Sequence, residues 1–191
     1  MTDPTPLPAP SQTSGPFLSI GLLREHIGSS VVLDDDPRAI RIRGRLLDGN
    51  GEAVPDGMIE IWQANAAGRY AHPEDTRTDI PVEEGFLGFG RSGTVDDGWF
   101  EFVTVKPGRV PAPDGEPQAP HLVVLVFARG LLKQLVTRLY FPDEPEANAS
   151  DPVLSELDES ERATLIAQAE DGGLRFDIHL QGGAETTFFA V

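Results

Sequence analysis

The sequence predicts an all-β fold, a β-sandwich with long loops and one or two short helices. Three observations carry this. The 191 residues include 20 glycines and 17 prolines, too many helix breakers for a bundle. Several short runs alternate apolar and polar residues, the period of a half-buried strand. Strong turn sequences separate those runs. The chain divides into a Pro-rich N-terminal arm over residues 1–10 and one sandwich domain over 11–191.

The elements follow in order. Pro4, Pro6, Pro8 and Pro10 forbid a packed helix and give an extended arm. Two readings of the arm stay open, a disordered tail and a segment that lies on a partner. Ile40, Ile42 and Leu46 alternate with Arg41, Arg43 and Arg45, with Gly44 in the apolar phase, as a half-buried strand. Asp48-Gly49-Asn50-Gly51 ends it as a turn. Ile59 and Ile61 flank Glu60 in a second strand that runs into Trp62. Residues 63–93 lack a sustained period, and an excursion of that length points to function or to a partner. After the turn Asp96-Asp97-Gly98 comes a strand over 99–105, broken by Lys106-Pro107-Gly108, and then a Pro-rich loop to Pro120. Residues 122–127 are apolar and rich in β-branching, which predicts a central strand buried on both faces. Residues 134–141 form the next strand, and 142–152 an acidic linker. Leu157, Leu165, Ile166 and Ala169 predict the apolar side of one helix over 154–170. Leu174, Phe176, Ile178 and Leu180 alternate with polar residues in a strand, and 186–189 close the fold. The sum is roughly seven or eight short strands.

Composition excludes several function classes. There is no cysteine, hence no disulfide, thiolate metal site or cysteine nucleophile. Acidic residues outnumber basic ones 31 to 15, for a net charge of -16. A polyanion repels nucleic acid and anionic lipid, so neither is expected as a partner. The apolar run 122–128 is far short of the ~20 residues a membrane span needs. The N-terminus lacks the basic and apolar regions of a signal peptide, so a cytoplasmic location is expected. His26, His72, His121 and His179 are widely spaced and form no metal, nucleophile-elbow or phosphate-loop motif. His72, Glu74 and Asp75 read as a solvated loop. His121 opens the most apolar strand and reads as a core or interface histidine.

Five segments add a further signal. They are Gly44-Arg45-Leu46 through Tyr70 with Ile61-Trp62-Gln63-Ala64-Asn65, Phe86 to Arg91, Thr104-Val105-Lys106-Pro107-Gly108, Ala119-Pro120-His121, and Thr137-Arg138-Leu139-Tyr140-Phe141. In order and spacing they resemble the intradiol ring-cleaving dioxygenases, over residues 11–191. The resemblance implies a prealbumin-like sandwich. Within the family the chain resembles the alpha chains of the branch that cleaves protocatechuate with paired alpha and beta chains. Ser11-Gln12-Thr13, Gly15-Pro16, Phe127-Ala128-Arg129-Gly130 and the stretch from Arg175 to Thr186 carry that finer likeness.

In the family a ferric ion is held by two tyrosines and two histidines. Tyr70 and His121 match one of each. Val110 and Val123 stand at the other two positions and cannot bind a metal. Tyr70 and His121 are therefore expected to be vestigial, with no metal site in this chain and Fe(III) held by a partner beta subunit. The resemblance also implies that Thr13, Gly15, Pro16 and Arg129 form part of the substrate pocket of the alpha–beta assembly. Arg129 offers a charge-assisted grip on a carboxylate, and Gly15-Pro16 a rigid wall. An interfacial salt bridge is the other reading of Arg129. The implied reaction is O₂-dependent cleavage of protocatechuate to 3-carboxy-cis,cis-muconate in the beta-ketoadipate route. Two alternatives remain at this point, a self-sufficient intradiol dioxygenase on another catechol and a non-catalytic transthyretin-like binding module.

Overall fold

The computed structural model describes residues 9–23, 28–32, 36–94 and 97–190. Pro4, Pro6, Pro8, His26 and Asp96 lie outside the described residues. Among the described residues no helix is long and apolar enough to cross a membrane.

Two sheets pack face to face. The first contains β1 (Ile40–Leu47), β4 (Trp99–Thr104), β7 (Gln168–Glu170) and β8 (Gly173–Arg175) in the order β4-β1-β8-β7, with β9 (Ile178–His179) also on β1. The second has the order β3-β2-β5-β6, from β2 (Met58–Trp62), β3 (Phe89–Gly93), β5 (His121–Phe127) and β6 (Leu135–Tyr140). Alternation on β1 decides which side faces in. Ile42 and Leu46 are buried, while Arg41 and Arg43 are exposed. Ile42, Leu46, Phe100 and Phe102 of the first sheet meet Ile61, Leu122, Val124 and Leu139 of the second in the main core. Each such side chain contributes about 1.5–3 kcal/mol of burial. Outside the first sheet, the guanidiniums of Arg43, Arg45 and Arg175 surround the Trp99 ring at 4.9–5.9 Å.

Several expectations need correction. The strand over 174–180 is two short pieces. Arg45 N donates to Asp177 Oδ1 at 2.9 Å, so a side-chain carboxylate takes the place of a ladder carbonyl between β8 and β9. The helix over 154–170 does not exist as one element. The segment begins two helical turns, α3 (Pro152–Ser155) and α4 (Glu159–Ala163). Asp151 caps α3, and Asp158 with Glu161 forms a capping box on α4, so two starts compete within one apolar pattern. After a turn at Thr164 and Leu165 the chain is extended from Ile166, with Leu165 and Ala167 buried, Ile166 bridging Tyr140, and Ala169 exposed. The acidic linker holds α2 (Pro145–Ala149). With α1 (Phe17–Leu22) the helices number four among the described residues, more than the one or two expected. The excursion 63–93 ends in β3, and the strands number nine among the described residues. β5 is not buried on both faces, because Val123, Leu125 and Phe127 on its outer side are only half-buried.

Gly44 is fixed by a crossing. The carbonyl of Phe176 passes so closely that a Cβ at Gly44 would lie 1.8 Å from it. Backbone cannot swing aside as a side chain can. Gly44→Ala is therefore expected to lower unfolding free energy by about 3 kcal/mol. Gly51→Ala, with φ 78° but nothing within 4 Å, should cost only about 1 kcal/mol. Urea unfolding of both variants checks the ranking, and equal losses would contradict it.

Candidate functional site

Two concavities carry the residues that the sequence singles out. The first forms where two loops dock at one end of the second sheet. Asn65 organises the loop after β2, because its Oδ1 accepts from Ala67 N at 3.0 Å and Arg69 N at 2.9 Å. Gly68, at φ 86°, leaves no room for a Cβ, which would lie 2.3 Å from Arg109 O. Gly108 N donates to Asn65 O at 2.9 Å. The Trp62-to-Tyr70 motif and the Lys-Pro-Gly turn thus lock together, and this places Tyr70 and Val110 on one open concavity of about 400 Å³. Tyr70 stacks on Trp62 at 5.9 Å with an interplanar angle of 6°, and His72 meets the same indole edge-on at 5.9 Å. Tyr70 N donates to Asp75 Oδ2 at 2.8 Å, and Asp75 also pairs with Arg77.

His121 and Val123 enter this neighbourhood from β5. Register places Val123 between Trp62 on β2 and Arg138 on β6, and His121 opposite Tyr140. The His121 and Tyr140 rings lie 5.6 Å apart. His121 Nδ1 is 2.8 Å from Ala119 O. A carbonyl only accepts, so Nδ1 carries the proton of the neutral ring. Burial first, and then the charge of Arg138, push His121 down to about 4. Burial pushes the phenols of Tyr70 and Tyr140 up, so both stay protonated at neutral pH. Tyr140 is distant from the other motifs in sequence, yet the fold seats it beside His121.

The second concavity, of about 440 Å³, opens between residues 14–16, α1 and the turn before β2. Ser14, Gly15, Pro16, Asp56, Met58 and Arg129 are among its walls. Gly130 N donates to Thr13 Oγ1 at 2.7 Å, which pins the segment before α1 against the turn after β5. The fold thus brings Thr13, Gly15, Pro16 and Arg129 together. Arg129 also reaches Asp56 Oδ2 at 3.1 Å, with side chains 76% and 44% exposed. Asp56 was missed from sequence because a lone acid in a turn carries no signal. Gln118, Arg138 and Asp151, which surround Tyr140, were missed as well. The Asp151-Pro152 pair was a readable cap signal, whereas Gln118 gave none.

A family model described as Dioxygenase matches residues 25–182. The chain belongs to the intradiol dioxygenase family. A protocatechuate 3,4-dioxygenase alpha chain from Pseudomonas putida is 42% identical over 94% of each chain. A protocatechuate 3,4-dioxygenase beta chain from Burkholderia cepacia is 37% identical over 85% of this chain and 74% of that one. The dioxygenase domain of a carbohydrate-binding fusion protein from Streptomyces sp. SirexAA-E has the same fold, with TM-score 0.59 and 23% identity over 92% of this chain and all of that one.

Intradiol dioxygenases are generally Fe(III)-dependent. The residues of this family member do not fit that ion. Around Tyr70 and His121 stand Val110 and Val123, and the nearby Tyr140 phenol is engaged by Arg138 and Asp151. Among the described residues no three His, Cys, Asp or Glu side chains group to hold a metal.

The buried neutral imidazole gives a pH dependence with a definite sign. In the unfolded chain His121 titrates near ~6.5. The fold refuses that proton down to about 4. The unfolded state therefore binds more protons inside this window, and stability falls as pH falls through it. The full difference is about 3 kcal/mol at the low end. Urea midpoints measured from about pH 7 to about pH 4.5 should drop more steeply for the native chain than for His121→Gln. An unchanged slope in the variant would mean that another group is the source.

Proposed function

We propose that this chain is the metal-free, alpha-type subunit of a two-chain protocatechuate-cleaving dioxygenase. A homologous beta-type partner holds Fe(III) and supplies the ring-opening chemistry with O₂, and the product is 3-carboxy-cis,cis-muconate. The observation that carries this reading is the convergence of Gly15, Pro16 and Arg129 on one open concavity, with Thr13 tied to Gly130 beside it. Identity of 42% to an alpha chain and 37% to a beta chain supports a common ancestor for the two subunits. The misfit of the Tyr70 and His121 surroundings to iron favours this reading over a self-sufficient dioxygenase. The family match speaks against a non-catalytic module.

The role of this chain is to bind and orient. Arg129 takes the ring carboxylate of the substrate, and the Gly15-Pro16 corner walls the ring. In the free chain Arg129 rests on Asp56. An exposed pair of that kind is worth only ~0–1 kcal/mol. A hydrogen bond between a guanidinium and a carboxylate removed from water is worth about 1.5–3 kcal/mol. The substrate carboxylate therefore outcompetes Asp56, and the resting pair keeps the guanidinium at the pocket rim.

Arg129→Ala in the co-purified two-chain complex should leave assembly and iron content intact. It should lower kcat/KM for protocatechuate by roughly 10- to 150-fold. Turnover of catechol, which lacks the carboxylate, should change much less. Equal losses on both substrates would mean that Arg129 holds an interface and does not read the carboxylate. Deletion of residues 1–10 should leave activity unchanged, whereas deletion through residue 17 should abolish it with the complex still assembled. Full activity after the longer deletion would refute the pocket role of Thr13 to Pro16.

A further inference from the structure

Asp56 and Arg129 are the only charged side chains that line the second concavity among the described residues. The sheet decides where they stand. β2 pairs with β5 through Met58 and Phe127. Carried two residues past that pair, the antiparallel register sets Asp56 opposite Arg129. Both turns are pinned at their backbones. On the Asp56 side, Thr94 Oγ1 accepts from Gly57 N at 2.8 Å and donates to Val54 O at 2.7 Å, so one hydroxyl holds the turn at both ends. On the Arg129 side, Gly130 N is bonded to Thr13 Oγ1 and Leu131 N donates to Ala128 O at 3.2 Å. The 3.1 Å contact of Arg129 with Asp56 is thus set by the fold, although both side chains reach water.

A turn pinned in this way does not carry its carboxylate away when a ligand arrives. Once a ligand carboxylate takes the guanidinium, Asp56 stays beside it. Arg129 then faces two carboxylates, and the pocket rim passes from neutral to singly negative. The first ligand carboxylate is held by charge-assisted hydrogen bonds. A further carboxylate on the same ligand meets net negative charge and no free cation. Inside a concavity that repulsion is screened less than in bulk water. The two ends of the reaction differ in this respect. Protocatechuate brings one carboxylate. Cleavage breaks the bond between the two hydroxylated carbons and adds one atom of O₂ to each. The two carbons are oxidised to carboxylates, O₂ is reduced, and two protons leave. The product therefore carries three carboxylates.

We propose that Asp56 sets the charge selectivity of the substrate pocket: held opposite Arg129 by the sheet, it admits a ligand with one carboxylate and drives out the tricarboxylate product. Arg129 supplies the grip, and Asp56 keeps that grip weak enough to be released. The inference rests on the reading of Arg129 as the carboxylate-binding residue. It adds a residue that touches neither the iron nor the ring and acts through the charge it places beside Arg129.

The test uses the co-purified two-chain complex with Asp56→Asn and Asp56→Glu in this chain. Asparagine suits a turn as well as aspartate, so the first variant removes the charge and keeps the turn. Initial rates give KM for protocatechuate and Ki for added 3-carboxy-cis,cis-muconate. In Asp56→Asn the Ki should fall by roughly 3- to 10-fold, as loss of a near like charge at a partly exposed site requires. KM should fall by less, so the ratio of Ki to KM falls. Asp56→Glu should restore the native ratio. In about 1 M salt, where the screening length is about 3 Å, native and Asp56→Asn should converge. KM for catechol should not move. A ratio of Ki to KM that is unchanged or higher in Asp56→Asn would overturn the proposal. So would a raised KM for protocatechuate, which would make Asp56 a support that orients Arg129. Arg129→Ala keeps the two readings apart. If it lowers turnover of protocatechuate far more than of catechol while Asp56→Asn leaves the ratio unchanged, the grip stands and only the role of Asp56 falls. Equal losses on both substrates in Arg129→Ala would remove the grip itself and the proposal with it.

Discussion

The carboxylate of Asp151 is the point on which both the fold and the candidate site depend. It is fully buried, and an uncompensated charge there would cost several kcal/mol. Four donors compensate it. Ala119 N reaches Oδ2, while Val153 N, Leu154 N and the Tyr140 hydroxyl reach Oδ1. Those donors come from the loop before β5, the start of α3 and the end of β6. One side chain therefore sets where β5 begins, where α3 begins and how Tyr140 is held. His121 is two residues from Ala119, and its Nδ1 is bonded to the Ala119 carbonyl, so its position is inherited from Asp151. The second core, built on Ala119, Tyr140, Leu154 and Leu165, packs around the same carboxylate.

The two concavities differ in how they are made, and the difference matches the work assigned to each. The pocket of Tyr70 and Val110 is fixed by backbone contacts, by Gly68 against Arg109 and by Gly108 against Asn65. On its wall Asp75 and Arg77 pair with each other. The pocket of Gly15 and Arg129 is rimmed by the segment before α1, where Thr13 accepts a hydrogen bond from Gly130, with Phe17 and Ile20 exposed at 79% and 71% nearby. Large apolar side chains that exposed suit a surface completed by another chain. Its one exposed ion pair is weak enough to be exchanged for a substrate carboxylate.

Much of the sandwich was legible because strand alternation is a local signal. Ile42 and Leu46 against Arg41 and Arg43 state both the element and its buried face. The segment 154–170 was misread because Leu157, Leu165 and Ile166 fit a helical spacing, while two capping signals, Asp151-Pro152 and Asp158 with Glu161, divide it. Caps act over one turn, and an apolar period spreads over several, so the caps decide where the turns start. The outer face of β5 was misjudged because a run of apolar residues does not say whether its second face is covered by this chain or by a partner. At the site, the valines at 110 and 123 were readable one by one. The hydrogen bonds that join Gln118, Arg138, Tyr140 and Asp151 were not, since they link three parts of the chain that meet only in the fold. The pair of Arg129 with Asp56 is likewise a product of tertiary structure.

Division of labour between two homologous chains is tested most directly by Tyr70→Phe in this chain, studied in the co-expressed complex with its beta-type partner. The substitution removes the tyrosine that the family resemblance matches to a ligand and keeps its ring on Trp62. Iron per alpha–beta pair, the visible phenolate–iron absorption and kcat on protocatechuate should all remain at native levels. Loss of iron or of the absorption in proportion to the substituted chain would show that this chain holds metal itself and would contradict the division.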